Sequence, residues 1–125
     1  MAALLFLHLP LLIARAAASS FQLAVVADVL NASQHVVFNA SIPFSPLPSF
    51  TLLDGMALAA RTFPGRFQYD TQQVGGTTVV TSIDQLPCTR ERFWHYFLDG
   101  AEGRSAVDRV PMAPGVDFVW RLLAL

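Results

Sequence analysis

Three observations predict an α+β domain. A single segment, residues 52–60, repeats apolar residues at helical spacing behind a capping threonine, Thr51. Several other segments are short, rich in β-branched or aromatic residues, and alternate apolar with polar positions. Gly, Pro, Asn and Asp punctuate the joins between them. The order β-β-α-β-β-β-β therefore lays one main helix on a mixed sheet.

Residues 21–29 alternate and predict the first strand. Residues 30–34 are turn material, and 35–42 predict the hairpin partner. Pro43, Pro46 and Pro48 exclude regular structure from residues 43–49. Thr51, with Asp54 following it, makes an imperfect capping box. It opens a helix of about three turns through Leu52, Leu53, Met56, Leu58, Ala59 and Ala60. Thr62, Phe63, Pro64 and Gly65 end it. Residues 66–71 predict a short strand, 72–77 a glycine-containing loop and 78–83 a β-branched strand. A turn-like link, 84–92, then leads into an aromatic strand, 92–98. A loop over 99–103 follows, and residues 116–122 predict the closing strand. No repeat or linker divides the chain.

The chain of 125 residues suffices for one domain. Residues 1–18 read as a secretory signal, leaving 19–125 as the domain. The apolar run 4–13 has the length of a signal core and is too short to span a bilayer, and Ala16, Ala17 and Ala18 offer the cleavage site. No Lys or Arg precedes the run, so a retained anchor is the competing reading. Removing the segment also deflates the 54% hydrophobic content to an ordinary globular value.

Net charge is −1, and every basic residue is an arginine; those of the domain (Arg61, Arg66, Arg90, Arg92, Arg104, Arg109, Arg121) are scattered. Such scatter lacks the footprint that a nucleic acid or an anionic membrane demands. Asn31 and Asn39 both head N-x-S sequons, in keeping with a secreted glycoprotein. Cys88 is the one cysteine, so no internal disulfide forms and the core itself must supply stability.

The densest chemistry is Phe93, Trp94, His95, Tyr96 and Phe97. Alternation sends Phe93, His95 and Phe97 to one side and Trp94 and Tyr96 to the other. With one face in the core, an exposed Trp and Tyr would mark a site for something flat and apolar. A strand covered on both faces is the alternative.

Five segments, taken in order, resemble the C-terminal domain of the transcobalamin and intrinsic factor family of cobalamin carriers, a β-grasp-like unit. Thr51-Leu52-Leu53-Asp54 with Ala57-Leu58 looks like that family's "stLLdaL". Phe67 to Thr71 looks like "F-x-y-e-T", and Val79 to Ile83 like "yltSi". The aromatic strand is similar to "yWqfl", and Met112 to Val116 replaces "kpgDg". The resemblance implies a β-grasp-like mixed sheet with a helix packed on it, closing over one face of a corrinoid. It also implies ligand contacts from Gly75, Gly76, Thr77, Thr78, Val79 and Val80, and from Trp94, His95 and Tyr96. Glycines would let the backbone approach a bulky macrocycle, while a Trp or Tyr adds apolar area with a polar tip.

Departures from the family are plain. The helical barrel that forms the rest of the cage is missing from this sequence, as is the aromatic residue often found where Gly76 or Thr78 stands. His95 takes the place of a glutamine; as a lone histidine beside a sheet it reads as a polar contact and not as a metal ligand.

No nucleophile elbow, His-Glu-x-x-His or phosphate-binding glycine loop occurs, and Asp54, Asp70, Asp84, Asp99 and Asp117 fall at turns and element ends. The expectation is a secreted, non-enzymatic protein with no catalytic cofactor and no metal. Cobalamin or a related corrinoid is the expected ligand, and a protein partner or receptor is left open. Two alternatives differ in mechanism. One is a secreted protein-interaction module that has lost ligand binding. The other is a cystatin-like protease inhibitor, since Gln73-Val74-Gly75-Gly76 is similar to that class's inhibitory hairpin loop.

Overall fold

The computed structural model describes residues 19–28 and 34–124. The expected signal segment and Asn31 with its turn lie outside the described residues. The first hairpin forms as expected. Strand β1 (Ser20–Asp28) pairs antiparallel with β2 (Gln34–Pro43), with a bulge between Val25 and Val26. Phe21, Leu23, Val25 and Ala27 are buried, the alternation that the sequence shows. Pro43, expected in irregular chain, instead ends β2 opposite Ser20, a position an edge strand tolerates because β2 has a neighbour on one side only.

Helix α1 (Leu52–Thr62) starts at Thr51 with a complete capping box. The Asp54 N–H donates to Thr51 Oγ1 at 3.2 Å, and the Thr51 N–H to Asp54 Oδ2 at 2.9 Å. Leu52, Gly55, Met56 and Ala59 are its buried stripe, spaced to keep one face inward. A Cβ on Gly55 would press on Met112 and on the Phe21 ring, so the helix lies tight against β1.

Strands β3 (Tyr69–Val74) and β4 (Thr77–Ile83) meet through Gly75 and Gly76 alone, with φ of 57° and 79°. Positive φ at both positions gives the turn that matches strand twist, and glycine adopts it without strain. The loop expected over 72–77 is therefore mostly strand, and residues 66–68, expected to open the strand, precede it. The link after β4 holds a second such turn, Asp84-Gln85, and the short β5 (Leu86–Pro87). Strand β6 (Arg92–Leu98) turns through Asp99-Gly100 into β7 (Ala101–Glu102), and β8 (Asp117–Ala124) completes the order.

Two sheets result. The larger runs β2-β1-β8-β6-β7, with β1 and β8 parallel and its other pairs antiparallel; the smaller runs β3-β4-β5 and is wholly antiparallel. The fold class is α+β, as expected, with the mixed sheet accompanied by a second, small one. Between β7 and β8, a strap over residues 103–116 crosses the helix start. The Leu52 N–H donates to the Val110 carbonyl at 2.9 Å and the Leu53 N–H to that of Val107 at 3.0 Å. Two N–H groups that a helix end leaves open are thereby satisfied.

The aromatic strand corrects one expectation. Trp94 (7% exposed) and Tyr96 (6%) face the core, whereas Phe93 (39%) is on the outer side. Cross-strand pairing sets Trp94 beside Leu122, Tyr96 beside Trp120 and Leu98 beside Phe118, so the inner set joins a ready apolar face. Cys88 is half-buried, its Sγ 3.8 Å from the Val80 carbonyl. Among the described residues no helix is long and apolar enough to cross a membrane.

Asp84 gives a pH prediction. Its Oδ1 accepts the Gln68 N–H at 3.0 Å, while Oδ2 is buried with no partner. Burial pushes its carboxyl above the ordinary value, and the Gln68 bond offsets only part of that rise. The folded state thus holds a proton that the unfolded state releases, and stability falls as pH rises through the raised value. Asp84→Asn keeps the acceptor and suits the left-handed turn position. The variant should gain stability near neutral pH and lose the decline that the raised carboxyl imposes between acid and neutral pH. Urea midpoints at the two ends check it; parallel pH profiles for the two proteins would refute it.

Candidate functional site

Strands β4 and β6 approach where the two sheets meet, and a cavity of about 260 Å³ opens between them. Residues 77–80 of β4 and 94–96 of β6 line it, with Trp120 of β8 and residues 103–107 of the strap. Seven of the nine residues expected from the sequence to contact a ligand (Thr77, Thr78, Val79, Val80, Trp94, His95, Tyr96) thus share one cavity. Gly75 and Gly76 do not line it; they form the exposed tip of the β3–β4 hairpin with open space around them.

Along β4, alternation buries Thr78 and Val80 and leaves Val79 exposed. Gln73 Nε2 donates to Thr78 Oγ1 at 2.6 Å, fixing the hydroxyl across the hairpin. The aromatic wall is rigid. Tyr96, Phe118 and Trp120 form a triangle with centroid separations of 5.4 to 5.9 Å, one pair edge-on. The Trp94 Nε1–H donates to the Leu86 carbonyl at 2.8 Å, tying the large sheet to the small one. The Tyr96 hydroxyl donates to the Ser105 carbonyl, tying β6 to the strap. Burial pushes that hydroxyl above the ordinary phenol range, so it is a neutral donor at any physiological pH.

His95 lies at the rim. Its Nδ1 meets Glu102 Oε1 at 2.9 Å, and its Nε2 is buried without a partner. A carboxylate on Nδ1 fixes the ring's orientation, the arrangement common to histidines that offer their second nitrogen to a ligand. No group of three or more His, Cys, Asp or Glu gathers around it or elsewhere among the described residues. The donor set fits no protein-held metal centre. Among the lining residues Arg104 is the one permanent charge and no carboxylate is present. The lining can hold an apolar or acceptor-bearing group.

Trp120 and the strap were not foreseen. Alternation of Phe118, Trp120 and Leu122 in the last strand was a usable signal for the former. For the strap the sequence offers no pattern.

The fold is a small two-sheet α+β domain with a cleft where the sheets meet. No protein-family model and no curated protein sequence matches the chain. Solved structures do match. Haptocorrin in complex with Cbi superposes with a TM-score of 0.63 over 85% of this chain at 13% identity. A candidate metal-binding protein from Ruminococcus gnavus superposes with a TM-score of 0.59 over 86% of this chain and 98% of its own, at 16% identity. The chain spans 25% of the haptocorrin chain. At these identities the likeness is one of fold: the domain is distantly similar in architecture to part of haptocorrin.

Proposed function

We propose that the chain is a secreted, non-enzymatic binding protein whose ligand is a corrinoid, held at the cleft between β4 and β6. One observation carries the reading: the two segments that the family resemblance assigns to the ligand, residues 77–80 and 94–96, converge on a single cavity. The similarity in fold to haptocorrin, solved with Cbi, supports it. The cavity lies below the range of pockets that engulf a whole drug-sized molecule, so it takes part of the corrinoid and leaves the macrocycle outside. A half-site of this kind favours modest affinity or a partner that covers the other face. Residues 1–18 act as a cleaved signal, and Asn31 and Asn39 carry glycans; Asn39 stands exposed on β2.

Titrating secreted protein with cobinamide and cobalamin, followed by the corrin absorption bands and heat, tests the reading. Saturable binding at about micromolar concentration or tighter is expected, on material lacking residues 1–18. No signal up to about millimolar ligand sinks it. One observation favours a second reading, a protein-interaction module without a ligand. Phe93 and Val36 are large apolar residues left exposed. The exposed Gln73 to Gly76 tip is compatible with the cystatin-like alternative, but no described residue beyond it adds support.

A further inference from the structure

Three indole or phenol groups line the cavity, and two have committed their polar tips: Trp94 to Leu86 and Tyr96 to Ser105. The third has not. Trp120 is 3% exposed, and its Nε1–H is buried with no acceptor. An indole nitrogen only donates, so this group is satisfied by an acceptor, such as a carbonyl oxygen, and not by a second donor. Leaving it unmade is costly in a buried setting, and apolar walls strengthen whatever bond it forms.

We propose that Trp120 Nε1–H is the donor that selects the ligand's buried group, a carboxamide carbonyl. The inference rests on the ligand reading above and names the part of the ligand that enters. Size and charge point the same way. A cavity of about 260 Å³ admits an amide arm and excludes a macrocycle. With no carboxylate in its lining, the cavity attracts an acceptor and not a cation. Arg104, the one permanently charged residue of the lining, is exposed to solvent, and a neutral carbonyl reaches Trp120 without carrying a charge into the buried part of the site. The N–H is shut off from solvent in the present arrangement, so the arm reaches it only as side chains of the lining move aside.

The test uses the ¹⁵N-labelled protein, whose Trp94 and Trp120 indoles give separate resonances, assigned with Trp120→Phe. Adding dicyanocobinamide should move the Trp120 signal downfield with the same saturation as the absorption change, leaving the Trp94 signal in place. Trp120→Phe should bind about tenfold more weakly, the worth of one hydrogen bond. Binding with an unmoved Trp120 signal and unchanged variant affinity overturns this assignment and leaves the ligand reading standing. If cobinamide does not bind at all, N-methylacetamide decides on the unmodified protein. A saturable Trp120 shift then supports the donor role with another amide ligand, and no shift overturns it. A stronger response to acetate than to N-methylacetamide, lost in Arg104→Ala, overturns the choice of carboxamide.

Discussion

Trp94→Ala is expected to destabilise the domain by about 3–5 kcal/mol, the range for removing a large aromatic side chain from a packed core. The indole is buried, lies over the inner face of β6, and bonds the Leu86 carbonyl. Truncation removes its packing and leaves that carbonyl without its donor. Small domains hold about 5–15 kcal/mol in total, so much of the margin would go. Binding would fall for two reasons at once, the lost cavity wall and the lower stability, and Trp94→Ala is therefore a poor probe of the cleft. Trp94→Phe separates the two effects. It keeps an aromatic ring in place and gives up the bond to Leu86, for about 1–2 kcal/mol. Urea unfolding of the two variants decides: a loss below about 1 kcal/mol for Trp94→Ala would mean that the indole is a surface anchor after all.

The same residue shows how far the sequence could be read. Alternation along residues 93–97 separates two sets of side chains correctly, but alternation is symmetric and does not say which set turns inward. The answer lies in the neighbouring strand, where Leu122, Trp120 and Phe118 pair with Trp94, Tyr96 and Leu98. Such long-range pairing leaves no local mark. The β3–β4 hairpin was missed as a tight turn for a related reason. β3 is an edge strand and is exposed on nearly every residue, so Gln72 and Gln73 carry none of the periodicity that a half-buried strand displays. The capping box and the spacing of Leu52, Met56 and Ala59 were legible because helix signals are local. β5 and β7, two residues each, are too short to carry a pattern. Family resemblance singles out residues 77–80 and 94–96, but it does not show that they share a cavity. The strap that closes this cavity is placed by backbone bonds to α1, and backbone bonding is indifferent to side-chain identity.

Gly103 is the point at which strap and strand fit most closely, and Gly103→Ala is the second large effect expected. Its N–H donates to the Tyr96 carbonyl at 2.9 Å, drawing the strap directly over the Tyr96 side chain. A Cβ at this position would fall within the Tyr96 ring. The ring is hemmed in: its hydroxyl is held by Ser105, and Phe118 and Trp120 pack against it with centroids at 5.9 and 5.4 Å. Relief must come from the strap, which gives up the bond from Gly103. Overpacking costs about 1–3 kcal/mol and the lost bond about 1 more. The strap also forms one wall of the cavity, so binding should weaken even in the folded population. A double-mutant cycle isolates the clash. Tyr96→Ala alone is costly, as any large core truncation is, but it empties the space that the new methyl group needs. Adding Gly103→Ala to Tyr96→Ala should therefore cost little more, giving a coupling of about 2–3 kcal/mol. Additive losses in that cycle would show that Gly103 serves the chain's path alone, and that the strap does not rest on Tyr96.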